Sequence, residues 1–340
     1  MKSTVDFLCS PACLPRNPGK EGGLAARDYL RDRLQALRLT PIGEQGFDQP
    51  IPSIGGSNLL GVIPGNADAY VLLAAHYDAC LDNNPGADDN AAAVAVVLEV
   101  AGRLQEESLD RSVIIALFDA EEPPYFLTPN MGSQWFVDHP TVPLDQVDMM
   151  ICLDLVGHAL GPEGFPPEVR NSIFVLGAEK STGTGALIDA LPEHDGIRPR
   201  RIDNYIIDSM SDYDAFMNAG VPFLFYSAGR WEHYHQPTDT PDKLDFEKMA
   251  ALAKHLTDTV AALANRDDQP EYVPDGHDDE ATIFSLEDIL APLSEVSPDA
   301  EMAAMFVGGI KQSLESNGVL NNDERGAIAM IVDQIEGALA

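Results

Sequence analysis

Short runs of consecutive apolar residues recur along the chain, and they constrain its fold more than any other feature. The clearest runs are SNLLGVIPG (57–65), YVLLAAH (70–76), SVIIALF (112–118), DMMICL (148–153), SIFVLG (172–177) and VPFLFYS (221–227). Runs of this length without polar alternation are typical of strands buried on both faces of a sheet. Segments with the apolar spacing of helices lie beside them, at about 21–41, 88–107, 130–138, 182–191, 211–219 and 245–265. This order predicts an α/β protein whose largely parallel sheet is covered by helices on both faces.

The composition changes after residue 265, which indicates a boundary in the chain. Residues 266–282 are acidic and contain proline, as in a linker or an exposed connection. Helical patterns follow at about 284–294, 299–316 and 322–339, and Asn317-Gly318 predicts a helix end. We therefore predict a main domain at 1–265, an acidic linker at 266–282 and a helical appendage at 283–340. The appendage is expected either to mediate homodimerisation or to cap the main domain.

The charge balance restricts the partners of the chain. It contains 55 acidic and 21 basic residues, which gives a formal net charge of −34. A chain of this charge is not expected to bind nucleic acid or an anionic membrane. Cationic ligands such as metal ions or a free amine suit it, although a surface adapted to solubility or high salt is expected to explain most of the charge.

The compartment is predicted from missing signals and from the cysteines. No apolar stretch has the length of a secretory signal or of a membrane span, so a cytoplasmic location is expected, or a secreted one if a leader has been removed. The pair in CSPAC, Cys9 and Cys13, is a weak metal signal without further ligands nearby, and Cys152 is expected to be a small buried residue.

Polar side chains follow most of the predicted strands at the point where each strand ends. In open α/β sheets, ligands bind outside the carboxyl ends of the strands, so side chains far apart in sequence should converge there. The residues in question are His76 and Asp78; Asp88 and Asp89 at the start of a helix; Asp119, Glu121 and Glu122; Asp154; and His233, Tyr234 and His235.

The converging set predicts a metal site. Imidazole nitrogens and carboxylate oxygens suit zinc, manganese or cobalt. Five candidate ligands are too many for one catalytic zinc but fit two ions about 3.5–4 Å apart with a bridging carboxylate. In that arrangement Glu122 binds an ion and Glu121 acts on a bound water. The alternatives are ordinary ones: Asp88 as a helix cap, which we prefer for that residue, and a solvent-exposed loop for the glutamate pair.

The motifs AAHYDA, PGADDNAAAVAVVLEVA, DAEEPP, CLDLVG, SDYDAF and YHQPTDT resemble metallopeptidase family twenty-eight, the co-catalytic zinc exopeptidases that include bacterial leucyl aminopeptidases. The resemblance covers about residues 20–265. It implies a three-layer sandwich with a mixed, mostly parallel twisted sheet, and it makes 1–265 a zinc exopeptidase catalytic domain. The helical appendage is not a general feature of that family.

The resemblance also implies roles for individual residues. It places His76, Asp89 and Asp154 on one zinc ion and Asp89, Glu122 and His235 on the other, with a cis peptide at Asp89–Asn90. Further roles are implied for Glu121 as general base, Tyr234 in stabilising an oxyanion, Asp78 in orienting His76, and Asp212 close to the site. Tyr213 stands where the family usually has histidine, and His158 and His233 match no ligand.

The function implied is an aminopeptidase that acts on peptides with a free N-terminus and uses two Zn²⁺ ions, with Mn²⁺ or Co²⁺ as alternatives. A carboxypeptidase or dipeptidase on the same fold, or a non-catalytic metal-binding scaffold, remains an alternative. Glutaminyl cyclases resemble the family but use one zinc, and the complete ligand set including His76 argues against that activity. Met210, Phe216, Arg230 and Trp231 are candidates for the pocket wall.

Overall fold

A computed structural model describes residues 1–207 and 209–339. Within these residues, nine strands form a single mixed sheet. The strands are β1 (Thr40–Pro41), β2 (Asp48–Ile51), β3 (Gly56–Ile63), β4 (Ala67–His76), β5 (Arg111–Phe118), β6 (Val147–Leu153), β7 (Ser172–Leu176), β8 (Arg198–Arg201) and β9 (Phe223–Ser227). The helices are α1 (Lys2–Leu8), α2 (Glu21–Ala36), α3 (Ala93–Leu104), α4 (Gly132–Asp138), α5 (Pro167–Arg170), α6 (Thr184–Asp189), α7 (Tyr213–Asn218), α8 (Phe246–Ala264), α9 (Asp279–Leu293), α10 (Pro298–Asn317) and α11 (Asn322–Leu339).

The strand order across the sheet is β1-β3-β5-β4-β6-β9-β7-β8, and β2 pairs with β3. Strands β5, β4, β6 and β9 run parallel in the middle of the sheet. The flanking strands β3 and β7 are antiparallel to β5 and β9. The central runs are buried on both faces, since the side chains of 71–75 in β4 are fully shielded from solvent. The predicted mixed and mostly parallel sheet is confirmed.

Helices cover both faces, which confirms the three-layer arrangement. Helices α2, α3 and α8 pack on one face, and α4, α7 and the C-terminal helices pack on the other. Helix α3 is rich in alanine and valine, and these small side chains let it lie close to the strands. Asp245 caps α8 by accepting hydrogen bonds from the backbone N–H groups of Glu247 and Lys248. Gly318, with φ +77°, ends α10 where the sequence predicts it.

The structure differs from the sequence-based expectations in three respects. The predicted helix at 88–107 becomes regular α-helix only from Ala93, because Asp89 and Asn90 adopt non-helical backbone angles. The short strands β1, β2 and β8 were not predicted because each contains a proline, a residue usually confined to sheet edges. Helix α1 was also not predicted.

The segment 266–282 lies against the main body through its backbone carbonyl groups. Arg111 donates to the carbonyl oxygens of Arg266 and Asp268, and Lys180 donates to those of Pro274 and Gly276. The division of the chain into domains stays a prediction.

The C-terminal helices bury one face and expose another. Apolar residues of α9, α10 and α11 join the core on one side of the sheet. Phe284, Met302, Met305 and Phe306 remain more than half exposed. The predicted homodimer through these helices stays a prediction. None of the described helices combines the length and the apolar character needed to cross a membrane.

Candidate metal centre and substrate pocket

The predicted site residues meet at one edge of the sheet, beyond the carboxyl ends of the parallel strands. His76 is the last residue of β4, and Asp154 follows β6 directly. Glu121 and Glu122 lie just after β5, and His235 lies in the loop after β9. Three of these loops turn through residues with left-handed backbone angles, namely Ala120 (φ 59°), Leu155 (φ 54°) and His235 itself (φ 55°). The sharp turns bring the polar side chains over the end of the sheet.

The five predicted ligands form two groups that share Asp89. His76 Nε2 lies 3.3 Å from Asp89 Oδ1 and 3.6 Å from Asp154 Oδ2. His235 Nε2 lies 3.2 Å from Asp89 Oδ2 and 3.2 Å from Glu122 Oε2. The two oxygens of one carboxylate therefore face different imidazoles. The structure thus shows the convergence that the sequence predicts. That these residues bind metal stays a prediction.

The shared carboxylate is held by an unusual turn. The peptide bond between Asp89 and Asn90 is cis, as predicted. Asp239 accepts hydrogen bonds from the backbone N–H groups of Asp88 and Asp89. The expectation that Asp88 caps a helix is wrong, because its carboxylate accepts from the Gly157 N–H and faces His158 Nδ1 at 2.6 Å. This acid ties the helix start to the loop after β6.

Asp78 supports three site residues at once. Its Oδ1 accepts the backbone N–H of Glu121 and its Oδ2 accepts that of Glu122, each at 3.1 Å. Asp78 Oδ1 also lies 3.2 Å from His76 Nδ1. A proton held on Nδ1 by this carboxylate leaves the lone pair of Nε2 facing the other ligands. The predicted orienting role of Asp78 matches this geometry.

Titration in the site is governed by burial and by the excess of acids. Burial lowers the pKa of His235, but its contacts with Asp89 and Glu122 outweigh burial and raise the pKa to about 10. Burial also opposes ionisation of Asp89, but its close contacts with the imidazoles of His235 and His76 hold its pKa below the usual value. Burial and the charge of Asp89 raise the pKa of Glu122 to about 8. Burial raises the pKa of Glu121 well above its usual value. These acids crowd one another in the absence of added positive charge.

The residues present fit divalent metal ions. His76 Nε2 and Asp154 Oδ1 are buried without a hydrogen-bond partner, which is costly unless another ligand satisfies them. Ligand atoms of His76, Asp89 and Glu122 lie within 4.8 Å of one another. The ligand atoms of a second triad, Cys80, Glu122 and His235, also lie within 4.8 Å of one another. The nitrogen and oxygen donors suit zinc, and each cation would relieve the crowding of acids.

Cys80 is the member that sequence reasoning missed. Its sulfur joins the group of Glu122 and His235, and its backbone N–H donates to Glu122 Oε1 at 3.1 Å. Its place four residues after His76 in HYDAC was the available signal. Cys9, Cys13 and Cys152 belong to neither group. Cys152 is fully buried, as expected.

The remaining predicted residues surround the two groups. Glu121 is buried, and its Oε2 lies 3.8 Å from His76 Nε2. The ring of Tyr234 stacks on that of His235, with the ring centres 3.8 Å apart. Asp212 is fully buried at the start of α7, and burial raises its pKa to about 7.

A cavity of about 490 Å³ opens beside these groups. Its polar end contains the acids of the site and Tyr234, and its walls are mostly aliphatic and aromatic. Of the expected wall residues, Met210 and Arg230 line the cavity. Phe216 and Trp231 were not predicted correctly. Phe216 packs in the core against Phe118, and Trp231 stacks on His158.

The sequence is similar to those of known proteins. The sequence model described as Peptidase family M28 matches residues 58–261. The uncharacterized protein YfbL of Escherichia coli (strain K12) is 30% identical over 242 residues, which cover 62% of this chain and 72% of that protein. A glutaminyl-peptide cyclotransferase of Bos taurus is 26% identical over 292 residues, which cover 72% of this chain and 78% of the relative.

The solved structures similar to this one share its fold. The LapA aminopeptidase of Legionella pneumophila superposes with a TM-score of 0.62 at 18% identity, over 78% of this chain and 71% of that chain. A Zn-dependent exopeptidase from Parabacteroides distasonis gives a TM-score of 0.59 at 18% identity, over 78% of this chain and 97% of that chain. At such identities the likeness is one of architecture.

Proposed function

The chain belongs to peptidase family M28, and on that premise we propose that it is a metal-dependent aminopeptidase using two zinc ions. The observation that carries this proposal is the division of five buried or half-buried ligands into two groups that share Asp89. Because its two oxygens face different imidazoles, the carboxylate of Asp89 would be shared by the two ions.

The residues that would hold the metal follow from the two groups. His76, Asp89 and Asp154 would hold one ion, and Asp89, Glu122 and His235 would hold the other. When bound, such ions polarise a carbonyl group and lower the pKa of water towards about 7. Manganese or cobalt would suit the same donors.

Glu121 supplies the proton transfer in the proposed reaction. It takes a proton from the water whose oxygen attacks the scissile carbonyl carbon. It then gives that proton to the amine nitrogen as the carbon–nitrogen bond breaks. Its buried position beside His76 keeps bulk water from competing for the proton.

Tyr234 is proposed to donate a hydrogen bond to the oxyanion that develops on the carbonyl oxygen. Its stacking on His235 keeps the ring beside the metal groups. Burial raises the pKa of Tyr234, so the phenol stays protonated and able to donate.

The charges around the cavity favour an amine end of the substrate over a carboxylate end. The acids that line it are Asp89, Glu121, Glu122, Asp154, Asp333 and Glu336. Arg230 is the one lysine or arginine among the described lining residues, and Glu336 already pairs with it at 2.6 Å. A carboxypeptidase needs a free cation for the terminal carboxylate, whereas an aminopeptidase needs acids for the α-ammonium. The pocket therefore supports the aminopeptidase.

Cyclisation of glutaminyl peptides is the second candidate, because cyclotransferases are among the sequence relatives. In that reaction the substrate's own α-amine attacks the side-chain amide and releases ammonia. A glutamine amide needs polar partners in its pocket, whereas the walls of this cavity are mainly aliphatic and aromatic. The walls thus favour cleavage after an apolar first residue.

The test combines metal analysis with paired substrates. Zinc-loaded protein is assayed on leucyl-nitroanilide, on N-acetyl-leucyl-nitroanilide and on a peptide with N-terminal glutamine. We expect about two zinc ions per chain and a rate on the blocked substrate at least roughly 100-fold lower than on the free one. Removing the metal with a chelator should abolish the activity, and zinc should restore it. Equal rates on free and blocked substrates, or ammonia release from the glutaminyl peptide alone, would contradict the proposal.

A further inference from the structure

The distal wall of the cavity comes from helices outside the family match. The family model ends at residue 261, and α9 and α11 follow it in sequence. Leu286 and Ile289 of α9 line the cavity, as do Val332, Ile335 and Leu339 of α11. All five side chains are aliphatic. The C-terminal helices therefore form part of the cavity beside the predicted metal ligands.

Helix α11 is fixed to the loop that carries His235. The backbone N–H of Arg230 donates to Glu336 Oε1 at 2.7 Å, and its guanidinium donates to Glu336 Oε2 at 2.6 Å. Asp333 Oδ1 lies 3.5 Å from the same guanidinium. These contacts join the helix to the site five residues before His235 in sequence. The position of the helical wall is thus coupled directly to the metal end of the cavity.

The other end of α11 is anchored as well. Arg325 donates two hydrogen bonds to the carboxylate of Asp279, at 2.9 and 2.8 Å. The same carboxylate accepts the backbone N–H of Leu320. Bidentate pairing of this kind fixes orientation as well as distance. With both ends held, the aliphatic side chains of α11 present a defined surface to the cavity.

We propose that α11 is the specificity-determining wall of the substrate pocket and that it selects peptides whose first residue has a large apolar side chain. The inference rests on the proposed aminopeptidase function. The cavity of about 490 Å³ has the volume of roughly sixteen waters at about 30 Å³ each, so even a large apolar side chain fits within it. A small first residue such as alanine leaves most of the aliphatic wall uncovered.

The size of the expected preference follows from apolar burial. One methylene in an apolar pocket typically changes kcat/KM by about 10- to 200-fold. Leucyl and phenylalanyl substrates should therefore exceed alanyl substrates by at least about 10-fold. Large apolar free amino acids should also bind to the zinc-loaded protein more tightly than alanine, because the same wall covers their side chains.

The experiment changes the wall without touching the ligands. In Ile335→Phe the larger side chain occupies part of the cavity, so the ratio of phenylalanyl to alanyl kcat/KM should fall at least about 10-fold. Ile335→Ala enlarges the cavity and serves as a second variant if the first is poorly folded. Met330→Phe is the matched control, because Met330 lies on the same helix, is 66% exposed and does not line the cavity. Metal content and thermal unfolding are measured for every variant.

Two readouts separate the outcomes. Substrate ratios are measured with aminoacyl-nitroanilides, and binding of free phenylalanine and alanine to zinc-loaded protein is measured by calorimetry. If the wild type cleaves no aminoacyl substrate but binds phenylalanine through Ile335, the peptidase proposal fails and the wall is supported. If it cleaves all substrates equally and both Ile335 variants keep the wild-type ratio, the wall proposal is overturned. A changed ratio in Met330→Phe would also overturn it.

Discussion

Replacing Asp78 by asparagine should weaken metal binding by disturbing a residue that is not itself a predicted ligand. The carboxylate accepts the N–H groups of Glu121 and Glu122 and faces His76 Nδ1. An asparagine has one acceptor oxygen in place of two, and its NH₂ group would point at a donor. One backbone N–H is then left facing another donor, and His76 loses the negative charge that holds its proton on Nδ1.

The magnitude follows from these contacts. Losing a hydrogen bond to a charged group costs about 1.5–3 kcal/mol, and a buried unsatisfied donor costs about 1–3 kcal/mol. Asp78 is 1% exposed, so water cannot replace the lost partner. We expect the free energy of unfolding of the zinc-loaded protein to fall by about 2–4 kcal/mol. Metal affinity should fall by about 10- to 100-fold, as is usual when the hydrogen-bond partner of a ligand is changed.

The assay is competition for zinc with a chromophoric chelator, together with urea unfolding in excess zinc. Asp119→Asn is the matched control, because Asp119 is equally shielded and accepts from Ser57, Tyr77 and Ala120 without facing a predicted ligand. It should lose stability and keep its zinc affinity. The reasoning is refuted if Asp78→Asn binds zinc as tightly as the wild type, or if both variants weaken zinc binding equally.

Four further outcomes are expected. Glu121→Gln should keep its metal and lose about 10²–10⁴-fold in kcat, and a near wild-type rate would remove Glu121 from proton transfer. Asp89→Ala should fail to hold two ions because both groups share this residue, and a two-ion variant would contradict the bridge. Tyr234→Phe should lose about 10²–10³-fold in kcat with little change in zinc content, and an unchanged kcat would exclude the oxyanion role. Burial, followed by the charge of His194, lowers the pKa of His255 from 6.5 to about 4, so its contribution to stability is present above pH 6.5 and lost as the pH falls to 4. Between pH 6.5 and 4, the free energy of unfolding measured with urea should therefore fall by about 3 kcal/mol less in His255→Gln than in the wild type. If the free energies of unfolding of the two proteins change in parallel with pH, this assignment is refuted.

The centre of the fold and the convergence of the five predicted ligands could be predicted because both leave local signals. The part of a strand that is buried on both faces must be apolar, as residues 71–75 of β4 are, and the polar residue that ends this run marks the edge of the sheet. His76 and Asp154 are such residues. The edge strands escaped notice because proline at Pro41, Pro50 and Pro199 hides their pattern.

The pocket wall could not be predicted because no local pattern reports which distant helix faces the site. Phe216 was expected in the wall, but it packs against Phe118 in the core. Ile335 actually lines the cavity, although it lies 100 residues after His235 in sequence. Only the packing of the C-terminal helices brings it there.

The left-handed turns at Ala120, Leu155 and His235 have a consequence for heat resistance. A side chain with a Cβ costs about 1–2 kcal/mol in that conformation, so three such turns reduce a net stability of only about 5–15 kcal/mol. Relaxing one of these turns would raise the free energy of unfolding, but the carboxylate or imidazole beside it would move away from the other site residues. Robustness and reactivity thus oppose each other at the same few backbone positions.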